Sequence, residues 1–577
     1  MDFESRLMPL VLDRRGWDSA WLETHANPAH RALGNLDEMC ARLKTVHDDG
    51  QLIVVLPDFD TDGVMAGVVG WAGLNQLGFR CGLYAPHPEN GYGIGAQDID
   101  RAEQEFPGVQ TFITCDVGIT CHEALSHARG QGKTVLVTDH HEPDGTPIEA
   151  DCVVDPSADK EAYGWDGICG AHVFWQILCR YADLYDPRRR AAIDRLRVFA
   201  GIATISDMMP LWKENRLLVK QSIADSNAIA AVSPESLFDG TPVGAALAGL
   251  CVLYRVFQRA GKLYPPIDEQ TYGWTIAPAI NSLKRLEKPM NIIQCLFTSP
   301  RLSDKYAFAG RLAETSDQRR KLVAAKTDLL RASFLEKRQP YAPSIFLTDA
   351  PSGILGLLAN TVLNETGMPV LVLRPEADGY TGSGRAPHWF DFLGWLRRDG
   401  FGTAAGHAQA LGYSVDHCSE AYLTALSQRI KTAAEQAKPV TPPIPKSDFT
   451  IGATAPGTAS ASPGTDTTGN PPNASADVAF SDTTELVAFA HDCARLAPWG
   501  EDWPSPVARL EIPLSAPWSP LSGGKHAKCA LADGAEAVFW NTTPEQIARR
   551  MRSGEELRAT VGLHEWRGHT TVRFTGV

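Results

Sequence analysis

Aspartate recurs where hydrophobic strands end, and that recurrence constrains the fold of this chain more than any other feature. Gln51-Leu52-Ile53-Val54-Val55-Leu56 is a buried-strand signal that runs into Pro57-Asp58-Phe59-Asp60-Thr61-Asp62-Gly63. Thr111-Phe112-Ile113-Thr114-Cys115 runs into Asp116-Val117-Gly118, Lys133-Thr134-Val135-Leu136-Val137 into Thr138-Asp139-His140-His141, and Cys152-Val153-Val154 into Asp155-Pro156. Helical stretches separate the first three runs: 64–77, rich in small residues, and a second that ends near Gly130. This alternation predicts βαβ units and a parallel sheet, whose sites lie beyond the carboxyl ends of the strands. Taken alone, Thr138–His141 also reads as a helix cap with two solvated histidines; the same placement of acids at the other strand ends weighs against that. Carboxylates and imidazoles side by side suit a divalent transition metal such as manganese. The alternating aspartates of 58–62 superficially suggest a calcium loop, but an EF-hand needs a glutamate where Val69 stands. A further apolar run, Val198–Ser206, leads into Asp207. An acid there is costly to bury unless paired or metal-bound, which adds Asp207 to the candidates.

A chain of 577 residues exceeds one hydrophobic core, so about two to four domains are expected. The net charge of −14 speaks against a protein that coats nucleic acid non-specifically, yet a local basic groove can coexist with it. No apolar run is long enough to cross a bilayer. The start, Met1-Asp2-Phe3-Glu4-Ser5-Arg6, does not lead from a basic segment into an apolar one. The twelve cysteines contain no C-x-x-C pair and no clustered framework. Together these features predict a cytoplasmic protein with reduced thiols and no membrane partner.

The expected organisation is an α/β protein of six segments. Residues 1–48 form a polar helical arm, with Trp17 and Trp21 on one face. Residues 49–225 form the parallel-sheet domain. Residues 226–340 form a helical connector, in which Gln318-Arg319-Arg320-Lys321 is either a solvated face or a basic wall above a substrate channel. Residues 341–436 form a second, smaller α/β module with strands near 344–347 and 369–373 and a helix over 354–366. Within it, Gly382-Ser383-Gly384-Arg385 reads as a glycine-rich turn whose backbone N–H groups and guanidinium suit a phosphate. Residues 437–480 are rich in Pro, Thr, Ala, Gly and Ser and predict a disordered linker. Residues 481–577 carry strand signals at 535–540, 556–563 and 570–574 and predict an all-β, OB-fold-like barrel. Trp499, Trp503, Trp518, Trp540 and Trp566 make this the most Trp-rich part of the chain. With Lys525, Lys528, Arg567 and Arg573 they could form a stacking platform for single strands.

The order D-x-D-x-D-G (Asp58 to Gly63), D-x-G-I (Asp116 to Ile119), D-H-H (Asp139 to His141) and S-D-x-x-P-L (Ser206 to Leu211) resembles the DHH phosphoesterase superfamily. Within it, the chain is most similar to the RecJ family of single-strand-specific 5′→3′ DNA exonucleases. Asn90-Gly91-Tyr92-Gly93-Ile94 matches that family's D-G-Y-G-L, and Ile276-Ala277-Pro278-Ala279-Ile280-Asn281 with Arg285-Leu286 resembles its G-P-R-L-N-A-x-G-R-L. Gly382–Arg385 matches its G-S-G-R and Gly406-His407 its G-G-H; Ala497-Pro498-Trp499-Gly500 and Glu565-Trp566-Arg567-Gly568 resemble its P-W-G and E-F-R-G. The chain departs from the pattern at Leu56, where the family often has His, at Ala405, and across Asn281-Ser282-Leu283-Lys284-Arg285.

The resemblance implies Asp62, Asp116, His140 and Asp207 around one manganese or magnesium ion, and Asp60 and Asp116, with Asp58 beside them, around a second. It implies His141 facing the phosphate and Asp139 orienting the histidines. Asn281, Arg285, Ser383, Arg385 and His407 would hold the strand or its 5′ end. The implied activity is metal-dependent 5′→3′ degradation of single-stranded DNA to mononucleotides in DNA repair and recombination. The enzyme would act as a monomer, with a single-strand-binding protein or a helicase as protein partner. One rival is a DHH phosphodiesterase acting on short oligonucleotides or cyclic dinucleotides, which shares the metal site. A second is a non-catalytic DNA-binding scaffold on the same fold, which predicts eroded ligands.

Overall fold

The computed structural model describes residues 7–14, 32–87, 93–335, 344–400, 402–437, 449–452, 479–480, 483–500, 505–511, 518–521, 526–530, 536–540, 542–553, 557–566 and 569–576. The chain divides into two units: one holds 31–209 and 221–443, the other 1–30, 210–220 and 444–577. The expected boundary at 225/226 therefore does not hold, because the helix Lys213–Ala231 runs through both units. The N-terminal arm likewise divides, with Leu7–Arg14 in one unit and Leu36–Asp48 in the other. Trp17, Trp21 and the Asn90–Tyr92 motif lie outside the described residues.

The larger unit is built on two sheets. The first comprises β1 (Leu52–Pro57), β2 (Arg80–Leu83), β3 (Thr111–Cys115), β4 (Thr134–Thr138) and β5 (Cys152–Val154), all parallel, in the order β2-β1-β3-β4-β5. β1, β3 and β4 are almost wholly buried, which is why they read as unbroken apolar runs. β2 is an edge strand of four residues beginning with Arg80 and carries too little apolar signal to be read from sequence. The helix Thr61–Gln76 lies on this sheet and packs against Gly170–Tyr185 through a small-residue notch. A Cβ added at Gly70 would lie 2.4 Å from Phe174, and one at Gly73 2.4 Å from Leu178. The apolar run before Asp207 is also a helix, Arg197–Ser206, so Asp207 sits at a helix end, not at a strand end.

The second sheet comprises β6 (Ile345–Leu347), β7 (Val370–Glu376), β8 (Gly379–Arg385), β9 (Thr403–Gly406) and β10 (Ala410–Asp416) in the order β6-β7-β8-β10-β9. Here the structure corrects the expectation of a glycine-rich turn: Gly382–Arg385 belongs to β8, paired on both edges with β7 and β10. Its glycines answer to crowding. A Cβ at Gly382 would meet the Val372 carbonyl at 2.1 Å, and one at Gly384 the Leu411 side chain at 2.7 Å. Helices connect the two sheets, including Pro242–Arg259 and the long Leu302–Leu335.

The smaller unit contains a sheet of eight strands: β11 (Phe449–Gly452), β12 (Ala479–Phe480), β13 (Val507–Glu511), β14 (Ser519–Leu521), β15 (His526–Ala530), β16 (Glu536–Trp540), β17 (Leu557–Trp566) and β18 (His569–Gly576). Their order is β12-β11-β13-β17-β18-β16-β15-β14, so among the described residues β12 and β14 are the edges. Two helices that the all-β expectation did not include, Thr483–Leu496 and Pro544–Ser553, accompany the sheet. β11 and β12 fall inside the stretch expected to be a disordered linker. Phe449-Thr450-Ile451 and Ala479-Phe480 are short strand-forming clusters that the averaged composition hides, while 453–478 lies outside the described residues. Residues 210–220 join this unit through Arg216. Its buried guanidinium donates to the carbonyls of Leu496 and, at 2.9 Å, Pro498. Among the described residues no helix is long and apolar enough to cross a membrane.

The glycine notch makes a stability prediction. Gly70→Val drives two methyl groups into Phe174, and overpacking of this kind costs about 1–3 kcal/mol. The thermal unfolding midpoint should fall; a midpoint at or above that of the parent would show that the notch is not close-packed.

Candidate metal centre and phosphate pocket

Each acidic residue is delivered by a strand or helix end whose local geometry the sequence dictates. Asp58 and Asp60 follow β1. The Asp60 carboxylate caps the helix Thr61–Gln76 by accepting from the Gly63 N–H at 3.1 Å. Gly63 is obligatory there, since a Cβ would lie 2.5 Å from the Asp58 carbonyl. Asp62, in the first turn, accepts from the Gly170 N–H at 2.7 Å and the Ala171 N–H at 2.9 Å. The N-terminus of a second helix therefore orients it. Asp116 follows β3 in the left-handed region, with φ of 62°. Gly170 lets the Asp116 backbone approach, because a Cβ on it would lie 2.5 Å from the Asp116 Cβ.

Asp139 closes β4 and is fully engaged. Its Oδ2 accepts from the Ile119 N–H at 2.9 Å, and its Oδ1 from the His140 N–H at 2.8 Å. The same oxygen lies 2.8 Å from His141 Nδ1. Ser157 Oγ donates to the His140 carbonyl at 2.7 Å and pins that residue from the β5 side.

These deliveries converge. His140 Nε2 lies 3.1 Å from Asp116 Oδ1, 3.6 Å from Asp207 Oδ2 and 3.7 Å from Asp62 Oδ2. Three groups have ligand atoms within 4.8 Å of one another: Asp62, His140 and Asp207; Asp58, Asp60 and Asp116; and Asp116, His140 and His141. Asp116 is shared by the last two and His140 by the first and third, as expected of residues that serve adjacent ions.

The electrostatics fit a cation. Burial raises the pKa of Asp58 and of Asp207 to about 8, and neighbouring carboxylates add to it: Asp60 at the first, Asp62 at the second. Asp60 and Asp116 are pushed up for the same two reasons. Burial drives His140 down toward the neutral form that ligates metals. Asp116 Oδ1 is buried with no hydrogen-bond partner; His140 Nε2 is near it but out of line. An orphaned buried carboxylate oxygen among other carboxylates is what a hard divalent cation satisfies. His141 differs. Burial disfavours its charge, but the Asp139 hydrogen bond and the surrounding carboxylates win and raise it to about 9. Asp139 shows the reciprocal effect: burial opposes its ionisation, yet bonding to His141 holds it below the usual range.

The substrate candidates divide. Asn281 sits against the metal loop, its Oδ1 accepting from Thr61 Oγ1 at 2.9 Å. Arg285 and Arg385 come together against the first turns of the helix Ser352–Thr366. Arg285 Nη1 donates to the Gly353 carbonyl at 3.3 Å, and Arg385 Nη2 would lie 2.7 Å from a Cβ on Gly356. Burial lowers the pKa of both, and the Arg385 charge depresses Arg285 further. Among the described residues no carboxylate forms an ion pair with either. Ser383 shares the strand with Arg385, and His407 sits in the β9–β10 hairpin at the same sheet end, exposed. Since β8 is paired on both sides, a phosphate here meets side chains, not the backbone N–H groups expected of a turn. Sequence reasoning placed Asp155 at a strand end but gave it no role; it is buried and raised to about 7 by burial and by Asp139. It also left undecided Arg319, whose pKa burial and the neighbouring Arg285 both depress.

Residues 52–199 match the model of the DHH family, N-terminal domain. Along 406 residues the chain is 24% identical to the single-stranded-DNA-specific exonuclease RecJ of Salmonella typhimurium, covering 67% of each chain. It is 29% identical to the protein of that name from Thermus thermophilus over 410 residues, covering 70% of this chain and 55% of that one. The crystal structure of the Thermus thermophilus RecJ in complex with Mn2+ superposes with a TM-score of 0.69 at 23% identity, over 99% of this chain and 75% of that one. The parallel sheet with its acidic and imidazole edge is thus a DHH domain. Over most of its length the chain is similar to RecJ exonucleases and shares their fold, as the motifs led us to expect.

Two measurements check this site. Asp116→Ala removes the carboxylate shared between clusters, so calorimetric titration with manganese should lose its high-affinity binding while circular dichroism stays unchanged. Retained binding would refute the assignment. In the metal-free protein, the raised His141 pKa contributes stability that is fully present below about 6.5 and is lost as pH rises through about 9. Asp139→Asn should lower the His141 midpoint in an NMR titration; an unchanged midpoint would mean that Asp139 does not hold it.

Proposed function

We propose that the chain is a metal-dependent exonuclease that degrades single-stranded DNA from its 5′ end. The observation that carries this reading is the juxtaposition, within one unit, of a carboxylate–imidazole centre and a buried guanidinium pair that makes no ion pair with a carboxylate among the described residues. The first suits hydrolysis of a phosphodiester, the second a terminal phosphate dianion. The carboxylates and imidazoles that a silent scaffold would lose are present and lie close to one another, which favours an enzyme over a scaffold.

Asp58, Asp60, Asp62, Asp116, His140 and Asp207 would hold manganese or magnesium as two ions. Bound there, the metal supplies Lewis-acid charge and a water ionised at neutral pH. His141, aimed by Asp139, presents its imidazole N–H where the phosphoryl oxygens gather negative charge. Arg285, Arg385 and the Ser383 hydroxyl grip the terminal phosphate, and this fixes how far the strand advances before the next diester meets the metals. Asn281 ties that helical run to the metal loop, so grip and chemistry keep a fixed spacing. Mononucleotides are the products. The eight-stranded sheet of the smaller unit serves as an OB-like platform for the strand; Trp499 and Trp518 lie in its described part, Trp503, Lys525 and Arg567 outside it. The setting is cytoplasmic DNA repair and recombination, where a helicase or single-strand-binding protein presents the strand to a monomeric enzyme.

Arg385→Ala tests the grip. A charge-assisted hydrogen bond to the terminal phosphate is worth roughly 1.5–3 kcal/mol, so preference for 5′-phosphorylated over 5′-hydroxyl strands should fall about tenfold to a hundredfold. Strands labelled at either end provide the readout, with manganese present or chelated. Release of nucleotides from the 3′ end, or an undiminished 5′-phosphate preference, would contradict the assignment.

A further inference from the structure

The segment that joins the guanidinium pocket to the metal loop carries an aromatic side chain that packing does not explain. Residues Glu269–Arg285 form a helical run interrupted by a π turn, Tyr272–Ile276. Such turns admit one extra residue per turn and often mark functional positions. Tyr272 and Ile276 are fully buried, and the Tyr272 hydroxyl lies 2.6 Å from Ser226 Oγ and 3.0 Å from Ser222 Oγ. Trp274, between them, turns outward and is 83% exposed, the most exposed large hydrophobic side chain among the described residues. An indole so placed forgoes the burial that normally decides where tryptophan goes.

Its position is ordered with respect to the site. Trp274, Pro278, Asn281 and Arg285 all escape full burial, at spacings of four, three and four residues, so they form one stripe along the helical run. Arg285 lies at the guanidinium pocket, and Asn281 bonds the metal loop through Thr61. Trp274 stands at the other end, roughly 15 Å from Arg285 by helical rise. There, Gly273 packs against Ile205, two residues before the candidate ligand Asp207. Met208, which follows Asp207, is 69% exposed, and its N–H donates to the Ile205 carbonyl, so a second bare apolar side chain marks the same helix end. The stripe thus runs from a terminal-phosphate grip, past the metals, to an exposed aromatic face.

We infer that Trp274 is a stacking platform for an unpaired base of the strand, a few nucleotides inward from the 5′ end held at Arg285 and Arg385. The inference rests on the single-stranded-DNA reading of the site and deepens it. Stacking accepts any base because every base offers a π-face, whereas a paired base has its faces covered. A platform here would favour single strands over duplex without selecting sequence.

The test compares the parent, Trp274→Ala and Trp274→Phe on long 5′-phosphorylated single strands and on a 5′-phosphorylated dinucleotide too short to reach residue 274. For Trp274→Ala we expect KM on the long strand to rise roughly 5- to 100-fold, with kcat and the dinucleotide reaction unchanged; Trp274→Phe should recover part of the loss. If Trp274→Ala matches the parent on both substrates, or loses both equally, the platform is overturned while the exonuclease reading stands. If the parent cleaves the dinucleotide but leaves long strands intact, the single-strand reading and the platform fall together.

Discussion

Mutual repulsion among buried carboxylates is the constraint around which this molecule is arranged. Asp58, Asp62 and Asp116 are buried, Asp60 and Asp207 lie beside them, and the imidazole they surround is itself driven toward neutrality. Two like charges about 4 Å apart repel by roughly 4 kcal/mol at the effective dielectric of a protein surface. Without a cation the cluster relieves this by holding protons: burial first, and the neighbouring carboxylates after it, raise Asp58 and Asp207 to about 8. A divalent ion relieves it better, and whatever binds the folded state alone also stabilises it. The site is therefore both the chemistry and a liability that the rest of the fold must hold in place.

It is held by rigid pieces. Carboxylates come from the ends of buried parallel strands, whose neighbours fix them on both sides. The helix beginning at Gly170 binds Asp62 through two N–H groups and lets Asp116 pass at a distance only glycine allows. Asp139 spends both oxygens on neighbouring N–H groups and on His141. On the proposed reading it would act through the histidines it orients, a role distinct from that of a metal ligand. The helical run 269–285 then links this edge, through Asn281, to the helix Ser352–Thr366, through Arg285.

Much of this was legible in the sequence because it is local. A buried strand followed by an acid is a contiguous signal, and it located β1, β3, β4, β5 and their acids. What failed was whatever depends on partners far along the chain. The grip of Gly170 on Asp62 spans 108 residues and leaves no local mark. The glycines of 382–385 read as a turn because glycine permits turns, but they are there because Val372 and Leu411 approach too closely for side chains. β2 is too short and polar at its start to stand out, and the strands β11 and β12 are islands in a stretch whose average is unstructured. Trp274 gave no signal at all, since one tryptophan in a helical region predicts core; only its exposure singles it out.

The account stands on two cations between these carboxylates, and diffraction locates manganese directly. Crystals of the full chain grown with manganese and measured at its absorption edge should give two anomalous peaks. One should lie among Asp62, Asp116, His140 and Asp207, the other among Asp58, Asp60 and Asp116, with Asp116 contacting both. Manganese bound elsewhere, or no anomalous peak within reach of Asp116 at saturating metal, would contradict it.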